Sequence, residues 1–459
     1  MRTFVNAGAR LDRLPMTPFH RRLMWLVGLG MVCDTFDLAL QSGVAGAVLA
    51  DKFSTFAQVG YFISATFAGM TVGATMAGIV GDRFGRRFSY QFNLLIFGLA
   101  SFAAAMAPSM TWLIVFRGLI GVGLGAEIVV GYSLISEFMP PAKRGRLVST
   151  IVLGAIGFSS PVTFVASILI IPAFGWRWMF VLPAVGAMII WYMRKDLPES
   201  PRWLESMGRG EEAEAVLTAM EASARSIAPL APAPAGAPAQ TVAVPFSILF
   251  TAPVIRRTLL IIAVNIAIGA GSYGFGAFIP TFFVKQGMSI TKSLSFGMVM
   301  AFGSTAATIL AWFIADRIGR KWGLVCSTFA TAVLGLMYPM MHEPLYLMAT
   351  GFLLFMSMAF QMAMGVAIYA AELFPTVYRL RGNAIGNAAG RITSMAAPYA
   401  KLPLFDHFGV GGVTAALAGL SVAVSAFVAV FGIETRRRSL EMIGAEAAEI
   451  PLPAVAVSD

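Results

Sequence analysis

Five ionisable side chains stand where charge is costly: Asp34, Asp37, Arg117, Glu127 and Arg391 each fall inside an apolar stretch long enough to cross a bilayer. An unpaired charge at mid-membrane costs at least about 2.5–3.5 kcal/mol, so such groups face a protein interior and mark ion or substrate paths. Asp34 and Asp37 are three residues apart and share a helix face. Two carboxylates close together and partly out of water repel, and one of them is then set to hold a proton near neutral pH. That is proton-carrying chemistry, with H⁺ as coupling ion and no other cofactor. For Asp34 three uses stay open: a second proton site, a substrate contact, or a group near the outer vestibule. Glu127 follows the run Gly121-Val-Gly123-Leu-Gly125, whose small side chains let helices approach closely. It stands either on the substrate or proton path or in a hydrogen bond to a neighbouring helix. Arg391 follows Asn383 and Asn387 by eight and four residues, near one helix face. Its guanidinium could grip a substrate carboxylate through two parallel hydrogen bonds, or neutralise Asp34, Asp37 or Glu127. Three interior acids against two arginines leave anionic and cationic substrates both open. Asn265, Tyr273 and Gln361 are further polar candidates for the pocket, against the alternative of bonds between adjacent helices.

The elements that must position these residues are membrane helices. Of 459 residues, 58% are hydrophobic and 12% charged, whereas a soluble domain carries roughly a quarter charged residues; a soluble enzyme is excluded. Hydropathy and loop punctuation place spans at 22–48, 57–80, 88–107, 110–135, 147–171, 176–194, 257–284, 293–314, 322–341, 344–371, 383–402 and 410–433. The fold class is thus all-α membrane protein: twelve helices in two pseudo-symmetric six-helix bundles. The 1–21 segment leads into the first bundle, 22–194. A linker over 195–256, partly helical and then Pro/Ala-rich, precedes the second bundle, 257–433, and a tail, 434–459. Basic residues fill alternate loops, and the opposite loops hold only Lys52, Arg177, Lys285, Lys292 and Lys401. By the positive-inside rule both termini and the linker are cytoplasmic in a cell (inner) membrane. The net charge of +10 is explained by this topology, without nucleic acid as a partner. The partners expected are the lipid bilayer and a small-molecule substrate, for a monomeric protein. Cys33, Cys326, His20, His342 and His407 are scattered and give neither a disulfide framework nor a metal site. No nucleophile–base pair or phosphate loop stands out, so the chain is not an enzyme.

An internal repeat sets the architecture. Gly-Asp82-Arg83-Phe-Gly85-Arg86-Arg87 after the second span returns as Ala-Asp316-Arg317-Ile-Gly319-Arg320-Lys321 after the eighth, an offset of 316 − 82 = 234. Glu137-Phe-Met-Pro-Pro with Arg144 and Arg146 after the fourth span returns as Glu372-Leu-Phe-Pro-Thr with Arg379 and Arg381 after the tenth, an offset of 372 − 137 = 235. Two independent motifs at nearly one offset mean two parallel halves, which commonly rock about a site between them. Asp82, Arg83, Arg86, Arg87, Glu137 and Arg144, with Asp316, Arg317, Arg320, Glu372, Arg379 and Arg381, alternate acid and base at helix ends. Pairs between the halves would form a cytoplasmic gate that breaks and rehydrates. One exposed pair is worth only about 0–1 kcal/mol, so the network as a whole would set the equilibrium.

On these motifs the chain resembles the major facilitator superfamily over nearly its whole length. Gly78-x-x-x-Asp82-Arg83-x-Gly85-Arg86-Arg87 is similar to the superfamily's loop signature, and its second copy has Trp312 in the place of the first glycine. Pro198-Glu-Ser-Pro-Arg-Trp203 and Glu434-Thr-Arg resemble the sugar-porter-like branch. Asp34-Thr-Phe-Asp37 and Gly390-Arg391-Ile resemble its aromatic-acid and niacin-type proton symporters. The resemblance implies that Asp37 takes the proton and pairs with Arg117, and that a small organic acid is carried by alternating access. A neutral polyol or sugar, or an organic cation, is the alternative cargo, and a non-transporting receptor is the alternative class. The seventh span has Asn265 and a glycine-rich run in place of the Gln-Gln pair of sugar carriers, which counts against sugar.

Overall fold

The computed structural model describes residues 5–230, 232, 245–374 and 378–435, and the side chains of 141–153, 156, 253, 315–316, 367, 371 and 380, including Arg144 and Asp316, lie outside the described set. The tail beyond Thr435 and nearly all of the Ala-Pro stretch of the linker also lie outside it.

The chain is helical because its apolar runs bury every backbone hydrogen bond internally, the condition for crossing lipid. The first six spans are the helices Pro18–Ala50, Phe56–Phe84, Arg86–Ala105, Met110–Phe138, Pro141–Phe174 and Trp178–Met193. The helices mostly outrun the hydropathy limits because their polar end turns stay helical. Thr55 caps the second: its hydroxyl accepts from the Gln58 N–H at 3.2 Å while Gln58 accepts from the Thr55 N–H at 3.0 Å. The eighth and ninth spans are Ile290–Ile318 and Arg320–Met337. The seventh and tenth are each interrupted by a wide π-type turn. Ala252–Ile268 passes through Gly269–Phe275 before Ile279–Lys285, and Pro344–Met362 passes through Ala363–Tyr369. Such turns frequently occur at functional sites. The last two spans form one run, Arg379–Phe431, broken at Gly409, whose φ of 64° is left-handed. Among the described residues ten helices are long and apolar enough to cross a membrane, and Trp178–Met193 is shorter. That helix, and the 53 residues of Arg379–Phe431, long enough for two crossings, are where the ten differ from the twelve spans expected.

The chain divides into two compact units, Met1–Gln240 with Phe283–Ser295, and Thr241–Phe282 with Phe296–Asp459. In the first, the second and fourth spans approach until backbone meets backbone. A Cβ at Gly69 or Gly73 would run into the carbonyl of Gly118 or Val122, and one at Gly121 or Gly125 into that of Thr66 or Met70. Gly73→Ala is therefore expected to destabilise the detergent-solubilised protein by about 1–3 kcal/mol, read as a lowered melting temperature. Gly78→Ala should leave it unchanged, since nothing lies within 4 Å of a Cβ there. Trp312 at the equivalent position is likewise turned outward, 74% exposed.

Within the linker, Pro201–Ser206 and Gly210–Arg225 are helices. They hold the amino-terminal helix Ala7–Asp12. Glu205 accepts from the N–H groups of Val5, Asn6 and Ala7 at 2.7, 2.7 and 3.0 Å. Arg10 and Arg13 both pair with Glu221, at 2.8 and 2.6 Å. Burial pushes the Glu221 carboxyl up, but these guanidiniums outweigh it and hold the group below the ordinary glutamate value.

Candidate functional site

The first unit carries two fully buried ion pairs. Asp37 lies on the first span and Arg117 on the fourth, with Nη1 to Oδ2 at 2.7 Å and neither side chain exposed. Arg117 is held by more than its counter-ion. Its Nε donates to the Thr66 hydroxyl at 2.9 Å, and Nη2 donates to the Asp37 carbonyl at 3.0 Å and to the Gln41 side-chain oxygen at 3.1 Å. The face of Phe62 covers the guanidinium at 5.4 Å. The guanidinium thus keeps three neutral acceptors when the carboxylate is neutralised.

Glu127 forms the second pair, with Arg194, which the sequence reading did not single out. The two are joined bidentately at 2.6 and 3.1 Å. Arg194 also donates to the Leu26 carbonyl at 3.0 Å and lies over the Tyr90 ring at 3.6 Å. Helices one, three, four and six are tied together at this point. Gly30 makes the room, since a Cβ there would strike Arg194 and Glu127. Of the two uses open for Glu127, the structure displays the bond to a neighbouring helix. Arg194 follows the last residue of the sixth helix and closes the span read from hydropathy as 176–194; no spacing signal in the sequence points inward.

Asp34 and Asp37 are neighbours with different partners. Three helical residues leave about 60° between their directions, and here that separates them. Asp37 meets Arg117, while Asp34 lies beside the Glu127–Arg194 pair. Asp34 is 3% exposed and its Oδ2 accepts from no described group.

In the second unit, Tyr273 in the π-type turn of the seventh span reaches Met362 Sδ at 3.8 Å, at the start of the tenth span's π-type turn. Tyr273 is also the side chain that acts electrostatically on half-buried Arg391. Gln361, next to Met362, is buried with its amide nitrogen unpartnered. Tyr273, Gln361 and Arg391 thus gather around the two irregular turns. Asn265 and Asn387 instead donate to carbonyls of their own helix, those of Ile261 and Asn383, both at 2.9 Å. Asn265 packs on Gly386 and Gly390. Asn387 is exposed. Lys401, read from the sequence as a loop charge, corrects that reading: it lies within the helix Arg379–Phe431, is 8% exposed, and donates from Nζ to the Ala270 carbonyl at 2.6 Å.

The loop charges close within each unit, in matching sets. Arg86 pairs with Glu137 at 2.9 Å and with Asp82 at 2.6 Å. Arg320 pairs with Glu372 at 2.9 Å. A third repeated acid completes each set. Glu199 accepts from the N–H groups of Arg86 and Arg87 at 2.8 and 3.1 Å, and Glu434 accepts from those of Arg320 and Lys321 at 2.9 and 3.3 Å. Their offset, 434 − 199 = 235, repeats that of Glu137 and Glu372, and this signal was available in the sequence. Each carboxylate sits over a helix start, where unsatisfied N–H groups favour an anion. Gly85 and Gly319, with φ of 100° and 89°, are glycines for two reasons: the left-handed turn, and a carboxylate occupying the place of a Cβ. Arg87 also donates to the Lys195 carbonyl at 2.7 Å, Arg379 to that of Phe374 at 3.1 Å, and Arg83 lies over Phe84. Arg317 is exposed, and the Nη1 of Arg381 has no described acceptor. The described ion pairs of these loops, expected to latch one half to the other, join helices of the same half.

The family described as "Sugar (and other) transporter" matches residues 39–447. The inner membrane metabolite transport protein YdjE of Escherichia coli is 33% identical over 450 residues, 96% of this chain and 99% of that protein. The niacin transporter NiaP of Acinetobacter baylyi is 32% identical over 441 residues, covering 95% and 99%. A crystal structure of a D-xylose-proton symporter, 19% identical, superimposes with a TM-score of 0.71 over 91% of this chain and 99% of that one, a likeness of fold. With buried charge at helix crossings and a duplicated loop signature, this chain is a multi-pass membrane transporter of the Sugar (and other) transporter family, within the major facilitator superfamily.

Proposed function

We propose that the protein is a proton-coupled symporter of a small organic acid, an aromatic or niacin-like carboxylate, working by alternating access with both termini cytoplasmic. One observation carries the choice of an anion. Among the described residues the buried acids are Asp34, Asp37, Glu127 and Glu221, all in the first unit. The second unit holds buried Arg257 and Lys401 and half-buried Arg391, and no buried aspartate or glutamate among its described residues. The interior count of three acids against two arginines thus becomes three against five once Arg194, Arg257 and Lys401 are included. Buried charge is stable when paired, and a surplus of buried cations suits a cargo that brings a carboxylate. In this reading Asp37 carries the proton, Arg117 is its counter-ion and Arg391 receives the carboxylate. A relative named as a niacin transporter supports the cargo class.

Purified protein in liposomes tests it. An inward proton gradient should drive accumulation of labelled nicotinate, and a protonophore should collapse it. Arg391→Gln should raise the KM for nicotinate about tenfold or more, the loss of a charge-assisted hydrogen bond pair, while leaving binding of the neutral amide nicotinamide unchanged. Equal uptake of a neutral polyol by wild type and variant, with no carboxylate uptake, would refute the reading.

A further inference from the structure

We infer that Lys401 is a second anion station, separate from Arg391, which takes the carboxylate of the cargo at the end of the eleventh span remote from Arg379; the inference rests on the organic-acid reading. The side chains at Gly390, Ser394, Ala397, Lys401 and Phe405 follow at intervals of four, three, four and four, a single helical stripe. This stripe lies against the seventh span along its irregular stretch. Gly269 packs on the Gly390 carbonyl, Ser394 Oγ donates to the Gly269 carbonyl at 3.4 Å, Lys401 Nζ donates to that of Ala270 at 2.6 Å, and Phe405 stacks on Phe282 at 4.6 Å. The amine is therefore turned into the unit and away from lipid.

A wide turn leaves carbonyls that need a donor. At Gly269 a serine hydroxyl is enough. At the next residue the chain uses a lysine amine, a group able to carry a charge, for a task a neutral group can do. Lys401 forms no ion pair with any described carboxylate, and the acid five residues on, Asp406, is exposed. Of the three N–H groups of the ammonium, the Ala270 carbonyl occupies one. Two remain for an incoming carboxylate. Gly274 leaves the room that Nζ itself fills, since a Cβ there would meet the amine. Arg391 is ten residues away on the same helix, about 15 Å along its axis. One carboxylate cannot bridge the two, so they act in succession on a small acid, with Lys401 governing capture and Arg391 the site beyond it.

The test uses the full-length protein in detergent and in liposomes, with nicotinate and its neutral amide as probes. Lys401→Gln keeps a donor for the Ala270 carbonyl and removes the charge. It should raise the nicotinate Kd and KM about tenfold, the effect of one charge-assisted hydrogen bond, with the maximal rate and nicotinamide binding within about twofold. Lys401→Arg should restore the nicotinate values. A nicotinate KM unchanged in Lys401→Gln overturns the station. So does an equal loss for acid and amide, which would mark Lys401 as a structural peg. A wild type that binds no carboxylate removes the organic-acid reading itself, so the two failures are distinct. Should Lys401→Gln not be monodisperse, the ¹⁵Nζ signal of wild type, assigned by its absence in Lys401→Arg, decides. It should move on adding nicotinate and stay still with nicotinamide, and a signal unmoved by nicotinate overturns the proposal.

Discussion

Asp37→Asn is expected to abolish uphill accumulation of the carboxylate while sparing exchange of labelled for unlabelled cargo across the membrane. Asparagine imitates the neutral, protonated aspartate and cannot cycle. In the structure the consequence is confined, because Arg117 keeps Thr66 Oγ1, Gln41 Oε1 and the Asp37 carbonyl as acceptors at 2.9, 3.1 and 3.0 Å. The guanidinium stays in place, so the fold should survive a substitution that removes one side of a buried pair. For one proton per cargo molecule, a gradient of one pH unit supports about tenfold accumulation. In the variant the ratio should fall to unity whatever the gradient, with counterflow rates retained. Liposomes with an imposed pH step, followed by counterflow in the same preparation, measure both. Accumulation at the wild-type level in Asp37→Asn would remove Asp37 from the coupling mechanism.

Arg194→Gln should have the largest effect on stability. Its guanidinium is the counter-ion of Glu127, with bonds at 2.6 and 3.1 Å, and the positive charge that acts on the nearby, unpartnered Asp34. Removing one partner of a buried pair costs about 3–5 kcal/mol, because the charge left behind has neither water nor counter-ion. Here two carboxylates would be left together. The melting temperature in detergent should drop sharply for Arg194→Gln. Glu127→Gln in the same chain should recover much of the loss, since the pair removed whole leaves no orphaned charge. A double-mutant cycle measures this directly. Additive losses in the double variant would show that the two side chains do not depend on each other.

The membrane helices and the duplicated loop charges were legible in the sequence because their signals are local. A run of apolar residues states its length, and Asp82–Gly85–Arg86 and Asp316–Gly319–Arg320 state a helix stop and restart in a few positions. The third acid of each loop set was equally legible by its offset, yet its use was not: Glu199 and Glu434 serve backbone N–H groups more than a hundred residues away in sequence. Charges at the limits of spans were misread for a related reason. Hydropathy measures where an apolar run ends, and it has no term for where the last side chain points. Arg194 and Lys401 both turn back into the protein, one onto Glu127 and Tyr90, the other onto Ala270.

By itself the sequence determined that this chain crosses a bilayer many times, that it is built of two related halves, and that it carries acids and arginines in places where lipid cannot tolerate them. The tertiary structure decided the partners. Asp37 is joined to Arg117 across 80 residues and Glu127 to Arg194 across 67. Asp34, one turn from Asp37, is joined to neither arginine by a described ion pair. The physical reason is rotational. A helix's composition says that it crosses the membrane, but its setting about its own axis is chosen by packing, by Gly30 admitting a guanidinium and by Gly69 and Gly73 admitting a neighbouring backbone. A few tens of degrees in that setting decide whether a buried carboxylate meets a base or stands apart from one.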